Sequence, residues 1–497
     1  MERETRFMRL NLNKKSNIPI YKQIEDFYKK AIQSGQIPSG TQLPATRRLA
    51  HELGINRLTV DRAYENLKID GLIETIIGSG TFTLTPPAEQ TTHTSNQVFH
   101  EWNNDLQDQD HLYNLTSYPP FEGINFSSGS GDPALFPYES FRKTLQTLMR
   151  KQGYEPLTYG DPQGYLPLRQ SIGQILTNQG ISTEQNKILI TSGSQQAIAL
   201  CAQVYLQPGD TVFVERPTYA AALNLFESMS LNIETINMDA EGMIVDELEE
   251  KIKNKLPKLI YTVPTYHNPT GTSLSTPRRY QLINLAAHYN IPIIEDDYVG
   301  ELHYDGHTRP TLKSLDQHEL VIFIGTFSKM LMPGIRVGYV TGHANLIKKL
   351  TRQKYLTDLA SNNLLQHALH AYVTIGRYQQ HLNRACRVYK KRRDIIHLSL
   401  KQLLSNECEW VFPNGGFYIW LKIPSEINMQ HLLIQSKQNG LNFAPGYLFF
   451  DQALPQQSYI RLNFAAVHED DIPNGIKKLA ELIKNPKPNL NTRAFSG

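Results

Sequence analysis

A chain of 497 residues, 40% of them hydrophobic, is too long for one ordinary domain and apolar enough to pack two or three. Its longest apolar stretches, such as Ala197 to Leu206, are too short and too polar to span a bilayer, and Cys201, Cys386 and Cys408 have no metal or redox spacing, which excludes a membrane protein and a disulfide-stapled scaffold and suits a reducing cytoplasm. Residues 1–84 hold 13 Lys and Arg against 9 Asp and Glu, a net of +4 in a chain whose total is +3, so the positive surplus sits where a nucleic-acid partner would be met.

Met1 to Asn17 is charged and lacks an apolar centre, so no signal peptide is expected. Pro19 to Ser34 carries Ile20, Ile24, Phe27, Ala31 and Ile32 at helical spacing, with Pro19 suited to the first turn and Gly35 to the stop. Leu43 to Gly54 reads as a second, short helix. After the turn Gly54-Ile55-Asn56 a third helix runs from about Arg57 to Asp70, with Val60, Ala63, Tyr64 and Leu67 as its buried stripe. That stripe leaves Arg57, Thr59 and Arg62 facing outward. Two short helices joined by a glycine-containing turn form a helix-turn-helix, whose second helix enters the major groove. Leu72 to Leu84 then gives two β-rich runs around Gly78, Ser79 and Gly80, a hairpin and hence a wing.

Over residues 18–84 this order of helix, helix-turn-helix and wing resembles the GntR-type winged-helix domain. The resemblance rests on Pro19 to Ile24, Leu43-Pro44, Arg47, Arg57 to Val60, Ala63-Tyr64, Gly71 and Gly78 to Thr81. It implies DNA contacts from Arg47, from Arg57 and Thr59, and from the wing tip. Asn56 stands where the family more often has serine, and asparagine caps a helix about as well.

No lysine or arginine occurs from Ile69 to Phe141, so this stretch is not expected to follow a DNA backbone. Residues 85–121 read as a linker: Thr85 to Gln97 is polar and extended, and Val98, Trp102 and Leu106 recur at helical spacing, as in a short amphipathic helix.

From about Asn125 to Gly342 strand and helix patterns alternate, which predicts a doubly wound α/β sheet with ligands beyond the carboxyl ends of its strands. Ile188 to Ala197 reads as strand, glycine turn and helix, a phosphate cradle with Ser194 and Gln195 best placed. Thr211 to Tyr219 ends a strand with an aromatic ring able to stack on a flat ligand. Asn268 sits on a tight turn, where its amide can donate to a phenolate oxygen. Ile293 to Tyr298 supplies carboxylates at a strand end, with Asp296 lying 33 residues before Lys329. The apolar run Leu320 to Ile324 predicts a buried parallel strand that delivers Lys329 onto a loop with Thr326, Ser328 and Arg336. A lysine amine can form a Schiff base with an aldehyde cofactor, while hydroxyls and a guanidinium suit its phosphate.

These motifs, over residues 122–485, resemble the aminotransferase class I/II domain: a fold-type I pyridoxal-phosphate fold, with a large α/β sheet domain and a smaller C-terminal α/β subdomain. The resemblance implies pyridoxal 5'-phosphate on Lys329, with Asp296 at the pyridine nitrogen. Tyr298 and Asn268 would hold the ring oxygen, Tyr219 would stack on the ring, and Arg336, Ser194, Gln195 and Ser328 would bind phosphate. Tyr159 would reach the neighbouring subunit's cofactor. Ser458 to Phe464 matches the strand carrying the arginine that grips a substrate carboxylate, Arg461. The spacing Asp296-Asp297-Tyr298 is one residue shorter than in some members, so Glu295 or Asp297 remains open as the pyridine partner. No metal site is expected.

A GntR-type winged helix linked to an aminotransferase-like domain resembles the MocR subfamily of bacterial regulators. That implies a pyridoxal-phosphate-dependent transcriptional regulator, a head-to-tail homodimer on operator DNA, whose large domain senses an amino compound or the cofactor itself. A working aminotransferase with a fused DNA-binding domain is the alternative, and the intact cofactor residues allow slow turnover. Ala220-Ala221-Ala222 beside Tyr219, with no second arginine, disfavours a dicarboxylate ligand.

Overall fold

The structure, a computed structural model, describes residues 10, 12–13, 16, 18–76, 78–85, 121–451 and 457–486. Apart from Thr85 and Phe121, the expected linker and its helix of Val98, Trp102 and Leu106 lie outside the described residues. The chain divides into two units, residues 1–117 and 118–497.

In the first unit, α1 (Ile20–Gln33), β1 (Gln42–Leu43), α2 (Thr46–Leu53), α3 (Arg57–Ile69), β2 (Ile73–Ile76) and β3 (Gly80–Thr83) follow in order. The core joins Ile24, Tyr28 and Ile32 of α1 to Val60, Tyr64 and Leu67 of α3 and to Leu72 and Ile73. The α3 stripe of Val60, Ala63, Tyr64 and Leu67 is buried as its spacing predicts. Gly54 ends α2 at φ 60°, a left-handed conformation that glycine adopts without a Cβ penalty. Asn56 then caps α3, its Oδ1 accepting from the Leu58 amide at 2.9 Å. The strands form an antiparallel sheet in the order β1-β3-β2, so the wing is present. One expectation is corrected: Leu43 lies in β1, paired with Thr81, and the helix starts only at Thr46. The cause is Pro44, whose ring pushes the residue before it into extended backbone.

In the second unit a short β4 (Ile124–Asn125) precedes the main sheet of β5 (Ile188–Thr191), β6 (Thr211–Arg216), β7 (Asn232–Asp239), β8 (Gly242–Met243), β9 (Leu259–Thr262), β10 (Ile293–Asp297), β11 (Val321–Thr326) and β12 (Gly338–Thr341). Their order is β5-β12-β11-β10-β9-β6-β7-β8. The run from β11 to β7 is parallel, while β12 lies antiparallel to both β11 and β5. β5, β9 and β11 are buried along their whole length, the mark of strands covered on both faces. A smaller antiparallel sheet follows, ordered β13 (Glu409–Trp410), β14 (Tyr418–Ile423), β17 (Ser458–Asn463), β16 (Ala444–Pro445). A separate parallel pair, β15 (Leu441–Asn442) with β4, ties the start of the unit to this smaller part. Among the described residues no helix is long and apolar enough to cross a membrane.

Candidate functional site

Side chains at the carboxyl ends of β5, β6, β10 and β11 converge with the 127–130 loop and with β17. After β11, Thr326 caps a one-turn helix, its Oγ1 accepting from the Ser328 amide at 3.1 Å, and this turn carries Lys329. Lys329 Nζ donates to the Gly129 carbonyl at 2.7 Å. Burial, then the guanidiniums of Arg461 and Arg336, lower the lysine pKa to about 8, against a smaller opposing pull from Asp296. At pH 7 about a tenth of this amine is therefore neutral, the form that acts as a nucleophile.

The three consecutive acids of β10 separate by strand alternation. Asp296, 3% exposed, turns toward Lys329, and its Oδ2 accepts from Tyr261 Oη at 2.9 Å. Its Oδ1 is buried with no hydrogen-bond partner. Burial pushes this carboxyl up to about 7, with Tyr261 and Lys329 among the opposing influences. Glu295 is instead consumed by the scaffold, accepting from the Leu312 and Lys313 amides at 2.8 Å each. Asp297 accepts from the Gly300 backbone and lines a small cavity with Glu301, Tyr339 and Tyr378.

A polar cup forms where β5 turns into the helix Ser194–Tyr205. Gly193 sits at φ 105°, and a Cβ there would come within 2.7 Å of Arg336 Nη2, so only glycine admits the guanidinium this close. Arg336 donates to the Ser192 carbonyl at 2.6 Å and, more weakly, to Ser328 Oγ at 3.4 Å. Ser194 opens the helix, whose first amides lack intrahelical acceptors. Gln195 Nε2 donates to the Ala221 carbonyl at 2.9 Å, so what this residue offers the cup is its backbone amide.

Around the cup, Tyr219 is partly buried, and burial followed by Asp296 and Tyr418 raises its pKa to about 12, keeping the hydroxyl protonated. Tyr298 Oη donates to the Tyr266 carbonyl at 2.7 Å, so its proton is engaged by the scaffold. Asn268 Oδ1 accepts from Arg461 Nη1 at 2.9 Å. Arg461, 6% exposed, also donates from Nη2 to the Ser127 and Ser128 carbonyls at 2.9 and 3.3 Å and lies 4.3 Å above the Tyr418 ring. Tyr159 is 87% exposed, at the surface of the second unit.

The site also contains residues that the motifs did not single out. Tyr261 orients Asp296, and Tyr418 underlies Arg461 while donating to the Gly129 carbonyl at 3.3 Å. Behind the cup, Gln196 accepts from the Ser192 amide at 2.7 Å and donates to Asp358 at 2.8 Å. Asp358 in turn accepts from the fully buried Lys354 at 3.0 Å, whose ammonium also reaches the Pro162 carbonyl at 3.4 Å.

On the first unit, Arg47, Arg57 and Arg62 are exposed, Thr59 is partly so, and Gly78 and Ser79 are exposed at the wing tip with Gly80 partly covered. Arg57 Nε lies 3.4 Å from Asp61 on the same helix. Arg62 is less free than its position suggests, its guanidinium resting 4.2 Å above the Tyr21 ring. Gln42 Nε2 donates to the Ser79 carbonyl at 2.7 Å and braces the wing tip.

The chain matches two family models: bacterial regulatory proteins of the gntR family over residues 20–83, and aminotransferase class I and II over residues 122–479. It is 31% identical to the HTH-type transcriptional regulator YdfD of Bacillus subtilis (strain 168), over 95% of this chain and 98% of that protein. It is 36% identical to aromatic-amino-acid aminotransferase 1 of Thermococcus litoralis, over 73% of this chain and 88% of the enzyme. A crystal structure of Pyrococcus horikoshii kynurenine aminotransferase, in complex with PMP, superposes with a TM-score of 0.71 at 38% identity, covering 76% of this chain and 94% of that one. The two enzymes cover 73% and 76% of this chain, whereas the regulator covers 95% of it. The chain therefore belongs to the HTH-type transcriptional regulators of the MocR type, in which a GntR-family DNA-binding domain is fused to an aminotransferase class I and II domain.

Proposed function

We propose that the large domain binds pyridoxal 5'-phosphate through Lys329 and uses it to sense an amino compound, or to sense the cofactor itself, and so controls operator binding by the winged helix in the cytoplasm. The observation that carries this reading is the buried, unpartnered Oδ1 of Asp296 beside a lysine whose pKa is about 8. A buried acceptor without a donor is costly, and the protonated nitrogen of a pyridine ring is the donor that suits it. The Gly193 cradle, Arg336 and the amides of Ser194 and Gln195 suit a phosphate. Bound there, pyridoxal phosphate supplies an aldehyde that either the lysine or an incoming amine can claim.

The chain's own residues then divide the work. Asp296 would hold the ring nitrogen's proton, Tyr219 would cover the ring, and Tyr298 and Asn268 would hold the ring oxygen. Arg461 orients a ligand carboxylate, so that its amine faces the position Lys329 occupies. Arg57, Thr59 and Arg62 on α3, Arg47 on α2 and the wing residues Gly78 to Gly80 meet DNA. Two copies arranged head to tail would let Tyr159 of each reach the other's site and would set the spacing between the two DNA-reading heads. A ligand that favours one arrangement shifts operator affinity by its preference for that arrangement.

The test is operator binding by the full-length protein with and without pyridoxal phosphate and a panel of amino acids, with keto-acid release followed in parallel. Regulation predicts a change in affinity with keto-acid release far below a typical turnover of about 10 per second. Rapid keto-acid release with unchanged operator affinity would favour the enzyme instead.

A further inference from the structure

Leu58, in the first turn of α3, is 72% exposed. Its direction follows from helix geometry. Each residue turns the helix by about 100°, so the buried stripe of Val60, Ala63, Tyr64 and Leu67 centres about 170° away from Leu58. The side chain therefore points squarely away from the core of the first unit, with Arg57 and Thr59 about 100° to either side of it. The backbone that carries it is fixed, because Asn56 Oδ1 accepts from the Leu58 amide at 2.9 Å.

A single exposed leucine is ordinary on a protein surface. This one is set among cations. Arg57 precedes it, Arg62 follows one turn later on the same face, and Arg47 stands exposed on α2. A cationic setting selects a polyanion over an apolar protein face. The residues of a recognition helix that reach base edges are those at its N-terminus, where Leu58 stands. Ile69, 82% exposed, shares its face but lies about 16 Å further along the axis, at the opposite end of the helix.

The leucine side chain can neither donate nor accept a hydrogen bond. Of the groups that base pairs present in the major groove, the apolar one is the C5-methyl of thymine. We infer that Leu58 is a specificity-determining residue, which packs on the C5-methyl of a thymine and so selects a T·A pair at one position of the operator. The inference rests on the reading in which α3 enters the major groove. To the polar contacts of Arg57 and Thr59 it adds one that salt does not screen.

The probe is a duplex recovered from a random-sequence library by selection on the full-length protein. Each thymine is replaced singly by uracil, which pairs identically and lacks only the C5-methyl, and affinity is measured by fluorescence anisotropy. With the native protein, uracil should weaken binding about fourfold at one thymine or more, the value of burying one methyl-sized group. Leu58→Ala should bind the all-thymine duplex more weakly and lose that discrimination. Ile69→Ala, which removes another exposed apolar side chain from the same helix, should keep it. A flat uracil profile for the native protein, or one that Leu58→Ala leaves unchanged, overturns the methyl contact while the placement of α3 stands. A library from which no sequence is enriched overturns that placement, and the contact with it.

Discussion

The arginines of the two units are deployed in opposite ways. Arg47 has no ion pair or hydrogen bond among the described residues, and Arg57 has only a neighbour on its own helix, so both keep most of their hydration. Arg461 has surrendered its water and spends its donors on Asn268, Ser127 and Ser128, against two aromatic rings. An exposed cation attracts a polyanion at long range and is tuned by salt. A buried one is held in a fixed direction and discriminates by geometry, because any ligand must match the contacts it displaces. Function in the first unit should therefore change by degrees when a charge is removed, and in the second by whole steps.

The sharpest break falls on Lys329. Lys329→Ala should leave no cofactor attached after borohydride treatment and denaturation, measured by absorbance of the unfolded chain. A reducible bond surviving in that variant would end the reading of the site. In the same assay without borohydride, Asp296→Ala should lose cofactor on gel filtration far more readily than Asp297→Ala, since both acids keep an unpartnered oxygen but only Asp296 acts on the Lys329 charge. Next in size, Arg461→Ala should weaken a carboxylate-bearing effector by about 1.5–3 kcal/mol, roughly ten- to more than a hundredfold, while the resting spectrum stays the same.

Smaller effects are expected on the DNA side. Arg57→Ala should cost about 1–3 kcal/mol if the residue meets a base edge, and should relax preference at one operator position. Arg47→Ala should weaken all sequences alike and reduce the slope of log K against log salt by about one unit. Gel-shift titrations at several salt concentrations separate the two, and equal losses from both variants at every salt would erase the contrast drawn above.

The smallest effect concerns pH. Burial raises Asp297 to about 6 from an ordinary value of 3.8. Between those values the folded chain holds a proton that the unfolded chain releases, so the contribution is fully present below about pH 4 and is lost as pH rises through about 6. Asp297→Asn has no such proton to lose. Its melting temperature should fall less than that of the native protein between about pH 5 and pH 7.5, and an identical fall would show that the carboxyl is not protonated at the lower pH.

The sequence was most informative where a local rule and a chemical need coincide. The α3 stripe, the Asn56 cap, the wing glycines and the strand that ends before Lys329 were all legible, because each depends on near neighbours. Leu43 was misplaced because its strand exists only through pairing with β3, which lies nearly forty residues away. Tyr261 was passed over because one polar atom in a run of buried residues reads as core, and only the neighbouring strand reveals that its hydroxyl meets Asp296. The direction of β12 follows no local pattern at all. Among the three acids at the end of β10, sequence left the choice open, and the alternation of the strand is what separates them.

Lys354 carries no motif that marks it, standing in a helix beside Lys348, Lys349 and Arg352. The ammonium is the middle link between Asp358, which leads to the Ser192 cup, and Pro162, in the segment that carries Tyr159. Without Asp358 the ammonium would be stranded in a dry interior, a penalty of several kcal/mol, whereas the 3.4 Å contact to Pro162 is the weaker tie. The Ser192 turn is thus tied from behind, through Gln196 and Asp358, to a charge held in the interior of the fold.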